Sequence, residues 1–321
     1  VITFDIKKKP FLPSDMKELL SMIKAGSYDI VVSSGSSPMV CLLLFLSGVP
    51  IRVGYNTSFI SSLLLTNPVT LKKDQYAGAM YHALAEGLVR RFSEKKSGNN
   101  DFIPQAIASR QSQEAMNEFL LTKDISDRLS LEPDKNRKQT LILFHPGTSR
   151  LAIEKGILKT WSAESWAELA CLSNSWAKET KLPLKLILCG GPDDQSIIEE
   201  ILAVTGEDDV ISAYGWTKNL SDLAALIQLS DMMVCVDSAP MHLAVGLGKP
   251  LVALFGPTNP YLLLPDRQHF KFVWDNKSAS RQMFDGLGVD IAASTVFNTI
   301  KELVDQDFLL AEKACRFNSA L

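Results

Sequence analysis

No apolar stretch in this 321-residue chain approaches the ~20 residues that a bilayer-spanning helix needs. The longest, Met39 to Leu46, reads as a buried helix. Cysteine is scarce: the five, at 41, 171, 189, 235 and 315, lie far apart and include no CxxC pair. Neither a disulfide framework nor a zinc site is therefore readable. Cys189 and Cys235 sit inside apolar runs, where cysteine behaves as a small hydrophobe, and the pattern fits a reducing, cytoplasmic compartment. Positive charge is not in surplus either. The 33 Lys and Arg stand against 36 Asp and Glu, for a net charge of −3, which removes the electrostatic case for a nucleic-acid partner. Val1–Phe4 is followed directly by charge, which argues against a signal peptide. Two nucleotide signatures are missing. Without GxGxxG a nicotinamide dehydrogenase is disfavoured, and without GxxxxGK[ST] a P-loop nucleotidase is too. No HExxH, DxD or Cys/His cluster points to a metal.

What is present is an ordinary globular composition, 46% hydrophobic and 21% charged, at about twice the usual domain length, so two domains are expected. The basic runs Lys7–Lys9 and Lys95–Lys96 read as solvated faces, the alternative being contact with a membrane surface or an anionic acceptor. Strand and helix signals alternate from the start: a strand at Val1–Phe4, a helix from Ser14 to about Lys24, and a strand at Tyr28–Ser33. The apolar helix follows, then a strand at Ile51–Tyr55 and helices at 74–91 and 109–121, with a loop at 97–100 between them. The polar stretch 133–139 reads as the linker, giving a first domain of residues 1–135. Beyond it the apolar runs Leu141–Phe144, Leu184–Leu188, Val210–Ser212, Met232–Val236 and Leu251–Leu254 read as strands of a parallel sheet covered by helices. These form a second domain over 140–300. Helices at about 295–304 and 308–317 complete the chain, and the tail 301–321 is expected to pack back on the first domain.

Three strand-to-helix junctions carry chemistry. In Val234–Ala244 a strand ends at Asp237 and a helix begins within three residues, with Ser238 as candidate cap and Pro240 in the first turn. Backbone amides and the positive end of the helix dipole then point beyond the carboxyl edge of the sheet, a site suited to a diphosphate. His242, in the first turn, faces the same anion, and Gly248 closes the helix. The second junction, Leu141–Ser149, ends in a loop whose Thr148 and Ser149 offer hydroxyls while Gly147 lets the backbone approach. Lys159, just ahead of a helix capped by Ser162, supplies positive charge. In the third, Leu186–Asp194, a carboxylate after the glycine turn either accepts from ribose hydroxyls or simply caps a helix.

These segments, LILFHPGTS, KTWSAESWAELA, LILCGGPDD and the run LAALIQLSDMMVCVDSAPMHLAVGLGKPLVALFGPT, resemble glycosyltransferase family 9, the ADP-heptose:lipopolysaccharide heptosyltransferases. YDIVVSSGSS and GVPIRVGYN in the first domain are similar to it as well. The resemblance implies an α/β, GT-B-like fold, with two Rossmann-like doubly wound domains facing a cleft. It also implies metal-independent, inverting transfer of heptose from ADP-heptose, or a related nucleotide sugar, to the lipopolysaccharide core or another glycan acceptor. No separate cofactor is implied. Thr148, Ser149 and Lys159 would hold the donor diphosphate, together with Asp237, Ser238, Ala239 and His242. Asp194 would take the ribose, and Trp216–Leu220, Lys218 among them, would line the adenine. The implied location is cytoplasmic, in peripheral contact with the inner membrane.

Two departures stand out. Ser238-Ala239 replaces the Thr-Gly or Ser-Gly of many members, and alanine lacks the backbone freedom of glycine. The Gly-Asp loop that carries the family's presumed base is not found near the start, so the first domain is expected to lack its first strands and to be the less stable one. No catalytic base is assigned; Asp5 and Asp15 are available by position only. The alternatives are a nucleotide-sugar-binding member without turnover, or another GT-B enzyme such as an epimerase.

Overall fold

The computed structural model describes residues 13–92, 103–125, 127–129, 139–157, 159–206, 208–277 and 288–305. Val1–Phe4, Asp5, both lysine runs, the loop 97–100, most of the stretch 133–139, and residues 306–321 lie outside them. The chain separates into two compact units, 1–102 and 103–321.

The first unit runs α1 (Pro13–Ala25), β1 (Ile30–Val32), α2 (Pro38–Leu46), β2 (Ile51–Asn56), α3 (Phe59–Leu64), β3 (Asn67–Thr70) and α4 (Ala77–Phe92). Its three described strands are parallel, in the order β1-β2-β3. α3 and β3 escaped the sequence reading because FISSLL and NPVT are too short to show a period. The expectation that Met39–Leu46 is buried needs correction. It is a helix, but only Cys41 and Leu44 are buried, while Met39, Leu42, Phe45 and Leu46 are exposed. A helix apolar on every side gives no clue to which face is covered.

The second unit comprises α5 (Arg110–Thr122), β4 (Thr140–His145), α6 (Arg150–Glu154), α7 (Ala163–Thr180), β5 (Leu184–Leu188), α8 (Gln195–Thr205), β6 (Ile211–Ser212), α9 (Leu220–Leu229), β7 (Met232–Val236), α10 (Ala239–Gly246), β8 (Leu251–Phe255), α11 (Pro260–Leu263), β9 (Phe270–Trp274) and α12 (Ala293–Asp305). Six parallel strands lie in the order β6-β5-β4-β7-β8-β9, reversing direction between β4 and β7. At such a reversal the loops at the carboxyl ends part and leave a crevice. The five strands read from the sequence are all present. β9 was not read, because FKFVW follows a proline-containing loop and carries a lysine.

Helices cover both faces. One core joins α5, α9 and α10 to the sheet through Phe119, Leu120, Ala225, Met241 and Ala244. The other joins α7, α8 and α12 through Trp166, Leu169, Ile198, Val296 and Ile300. The domain boundary therefore moves. α5, assigned from the sequence to the first domain, buries Met116, Phe119 and Leu120 against the second unit's sheet. α12 also stays within its own unit: Val296, Ile300 and Leu303 enter the second core, and Phe297 meets Trp176 edge-on at 6.0 Å.

Candidate functional site

β7 is buried at every position, as a central strand of a doubly covered sheet must be. Asp237 extends it by one bond, its amide donating to Leu254 O at 3.0 Å, and Ser238, with φ −146° and ψ 175°, turns the chain into α10. Pro240 sits where no amide donor is needed. Ser238 occupies the capping position, but its hydroxyl makes no capping bond and donates instead to Val236 O at 3.4 Å. Ser109, Ser162 and Asn219 all cap their helices with side chains. The first turn of α10 is thus not closed by its own cap, and its amides and dipole face the carboxyl edge of the sheet. At the far end Leu247 is the C-cap and Gly248 follows at φ +66°, a left-handed position natural to glycine.

Lys159 reaches this corner from 78 residues away. Its Nζ donates to Asp237 Oδ2 at 2.7 Å, and Thr258 Oγ1 donates to the same oxygen. Asp237 is buried, at 2% exposure, while the Lys159 side chain keeps 19%. A pair largely removed from water adds little net stability, because desolvation offsets the attraction. What it achieves is placement: one ammonium N–H is fixed on Asp237, and two donors remain. The approach of Lys159 is set by its neighbours. Trp161 is buried and donates its indole N–H to Ile291 O at 2.9 Å, while Thr160 O accepts from Val289 N at 2.8 Å. Gly288 makes that approach possible, since a Cβ there would overlap Thr160 O. Ser162 then caps α7.

His242 lies in the first turn of α10 with its side chain reaching solvent. Its pKa is lowered, first by the desolvation of crowding atoms; Lys159 adds to that shift and Asp237 opposes it. Lys159 and Asp237 thus both act on this imidazole, and the net lowering favours its neutral form.

The β4 loop contributes differently. Thr148 is buried; Ser149 is exposed, and its Oγ accepts from Ala152 N at 3.3 Å at the start of α6. Gly147 packs so closely on Asp194 that a Cβ would overlap the carboxyl group. Asp194, 8% exposed, accepts from Gly191 N at 2.8 Å. Its pKa is raised, first by burial and then by Asp193, against the lowering effect of the Gly191 amide. That bond closes the glycine turn, while Asp194, at the N-cap of α8, makes no side-chain capping bond to that helix. Thr148 and Asp194 line a cavity of about 790 Å³ with Trp161, Ile197 and Ile291, whereas Lys159, Asp237 and His242 do not line it. Lys218 is exposed in the loop after β6, its backbone N donating to Asp222 Oδ2 at 3.1 Å. The structure thus joins Lys159, Asp237 and His242 in one corner at the start of α10, with Ser238 and Ala239. Among the described residues, no hydrogen bond or ion pair ties Asp194 or Lys218 to that corner.

Three residues escaped the sequence reading as participants. Thr258 carries the signal of a hydroxyl just past a strand's carboxyl end. Asp222 stands three residues after Asn219, the spacing of a capping box. His145, the last residue of β4, is 4% exposed with Nδ1 unbonded, and burial lowers its pKa to about 4.

Residues 16–285 match the family described as glycosyltransferase family 9 (heptosyltransferase). The lipopolysaccharide heptosyltransferase 2 of Salmonella typhimurium is 29% identical over 257 residues, covering 77% of this chain and 65% of that protein. This chain thus spans a little under two thirds of that relative's length. Among solved structures, a family 9 glycosyl transferase from Veillonella parvula aligns with TM-score 0.65 at 23% identity, over 91% of this chain and 78% of that one. The ADP-heptose lipopolysaccharide heptosyltransferase II of Escherichia coli aligns with TM-score 0.61 at 23% identity, over 92% and 82%. Both share the α/β fold of parallel sheets described above. With the match running through both compact units and all three strand-to-helix junctions, the chain belongs to glycosyltransferase family 9, the heptosyltransferases.

Proposed function

We propose that this chain is a metal-independent, inverting glycosyltransferase that carries heptose from ADP-heptose to the inner core of lipopolysaccharide. The observation that carries the reading is the ion pair of Lys159 with Asp237 at the start of α10, beside His242. Asp237 holds the ammonium at the head of the helix, and its two remaining donors meet the diphosphate. The first-turn amides at Ala239 and beyond, and the neutral His242 N–H, complete the cradle. Thr148 and Ser149 bind phosphate oxygens from the β4 loop, Asp194 takes the ribose, and Trp216–Leu220, with Lys218, line the adenine. As the acceptor hydroxyl attacks the anomeric carbon, the bond to the β-phosphate breaks and ADP departs with the added negative charge. Lys159, His242 and the helix dipole stabilise that charge where it grows. The hydroxyl proton passes to a base that remains unassigned; Asp15 is buried in the first turn of α1. An acceptor anchored in lipid places the work at the cytoplasmic face of the inner membrane. Family membership does not favour the epimerase alternative.

Calorimetry tests the cradle. Lys159→Ala and His242→Ala should each weaken ADP binding about tenfold, the scale of one charge-assisted hydrogen bond; unchanged affinity in both removes the assignment. A thermal-shift screen of ADP-, UDP- and GDP-sugars should favour the ADP donor, because a ligand of the native state raises its stability. ADP-heptose binding without release of ADP in the presence of acceptor would instead support the binding-only reading.

A further inference from the structure

The loop that follows β6 is held from outside by α5. Ala213–Asn219 leaves the carboxyl edge of the sheet and enters α9, passing Gly215 at φ +81°. At its start Trp216 lies against Phe119 of α5, ring centroids 4.8 Å apart at 37°; Phe119 is fully buried and Trp216 is 44% exposed. At its end Asp222 gathers the chain. Asp222 Oδ2 accepts from Lys218 N at 3.1 Å and from Asn219 Nδ2 at 2.9 Å, and Oδ1 accepts from Ser112 Oγ of α5 at 2.7 Å. Asn219 Oδ1 returns a bond from Asp222 N at 3.0 Å. Ser221 Oγ donates to Ser109 Oγ at 3.1 Å and Ser109 Oγ to Ser112 Oγ at 3.0 Å, so a chain of hydroxyls between the two helices ends on Asp222. Asp222 and Ser112 are both buried, at 8% and 6%.

A capping carboxylate needs only its own helix. This one spends an oxygen on a serine 110 residues away and another on the backbone of the loop outside the helix. Three donors converging on one buried carboxylate fix its position far more tightly than helix capping alone requires. The loop thereby has two supports, an aromatic contact of Trp216 with Phe119 of α5 and a hydrogen bond from the Lys218 backbone N to the Asp222 carboxylate of α9, which Ser112 ties to α5. A loop held at both ends presents its backbone to a ligand without first paying the entropy of ordering it.

From this we infer that Asp222, through Ser112 of α5, is a positioning residue that sets the backbone of Trp216–Asn219 for recognition of the nucleobase, without touching the nucleotide itself. The inference rests on the proposed function, in which that loop lines the adenine. It adds that base affinity is governed by a contact between α5 and α9, separate from the Lys159–Asp237 corner that takes the diphosphate.

Two probes separate the parts, since ADP engages both and inorganic pyrophosphate engages only the diphosphate corner. In calorimetry on the full chain, Asp222→Ala should weaken ADP about tenfold and leave pyrophosphate within twofold. Asp222→Asn, which keeps one oxygen acceptor, should recover most of the loss. Ser112→Ala, on the neighbouring helix, should weaken ADP about threefold and supplies the measurement if Asp222→Ala does not fold. In turnover assays the loss should appear in KM for the nucleotide sugar while kcat holds. Equal loss of ADP and pyrophosphate, or unchanged ADP affinity in both Asp222→Ala and Ser112→Ala, overturns the inference. Wild-type protein that binds pyrophosphate but not ADP overturns the base-loop reading, and binding of neither overturns the diphosphate corner as well.

Discussion

The two compact units use parallel strands in the same way, yet they differ in how much they hide. In the second, a six-stranded sheet is covered on both faces, and residues such as Phe144, Trp166, Leu226 and Val234 have no exposure at all. Among the described residues of the first, three strands accompany two small clusters, Cys41 with Leu44 and Leu65, and Val53 with Tyr55 and Leu84. Met39, Phe45, Phe59, Ile60 and Leu63 stand out in solvent, and β1 exposes Ile30 and Val32. Apolar burial is the dominant favourable term in folding, so a parallel sheet of similar sequence character is stable in proportion to what covers it. The contrast also bears on the proposed donor site. The corner of Lys159, Asp237 and His242 needs fixed geometry, and it is built on the unit with the deeper cores.

The largest effects should separate the two cores. Phe144→Ala, at a fully buried site against the Trp166 ring, should destabilise the second unit by about 4 kcal/mol, whereas Leu44→Ala in its small cluster should cost about 2 kcal/mol. All five tryptophans lie in the second unit, so urea unfolding followed by tryptophan fluorescence reports that unit alone, while far-ultraviolet circular dichroism reports both. In the wild type the dichroism should begin to fall at lower urea than the fluorescence. Coincident curves would mean that the first unit is no weaker than the second.

A smaller effect is tied to pH. Burial lowers the pKa of His145 from 6.5 to about 4. Between those values the unfolded chain binds a proton that the folded chain refuses. The contribution is therefore complete above pH 6.5 and is lost as the pH falls toward 4. By pH 5 the second unit should have lost about 2 kcal/mol from this residue. His145→Gln should reduce the difference in fluorescence-detected stability between pH 7 and pH 5 by that amount; an unchanged difference would show that another group is responsible.

The smallest effects concern helix caps, which are local and should ignore the difference between the units. Ser58→Ala in the first unit and Ser162→Ala in the second each remove a capping hydroxyl and should cost about 1 kcal/mol. Ser238→Ala removes no capping bond and should cost only a few tenths. A loss at Ser238 equal to that at Ser162 would mean that its hydroxyl does close α10, which would weaken the case for an open first turn.

Much of the architecture was open to reading along the chain. β4, β7 and β8 are almost unbroken apolar runs because both faces of the sheet are covered, and Ser109, Ser162 and Pro240 mark helix starts through backbone chemistry of short range. The strand–Asp237–Ser238–α10 junction was legible for the same reason. What failed were elements too short or too uniform to show a period: α3, β3, and the side of α2 that meets solvent.

The amino-acid order by itself determined the local parts: where a buried strand stops, where a helix begins, and which glycines allow the chain to turn. Each depends on atoms a few residues apart. Only the tertiary structure decided that Lys159 meets Asp237, that α5 joins the second unit, and that Asp222 ties the β6 loop to Ser112. Those partners are 78 and 110 residues apart in the two hydrogen-bonded pairs. No residue's type names a distant partner; the sheet order and the two faces of helices bring them together.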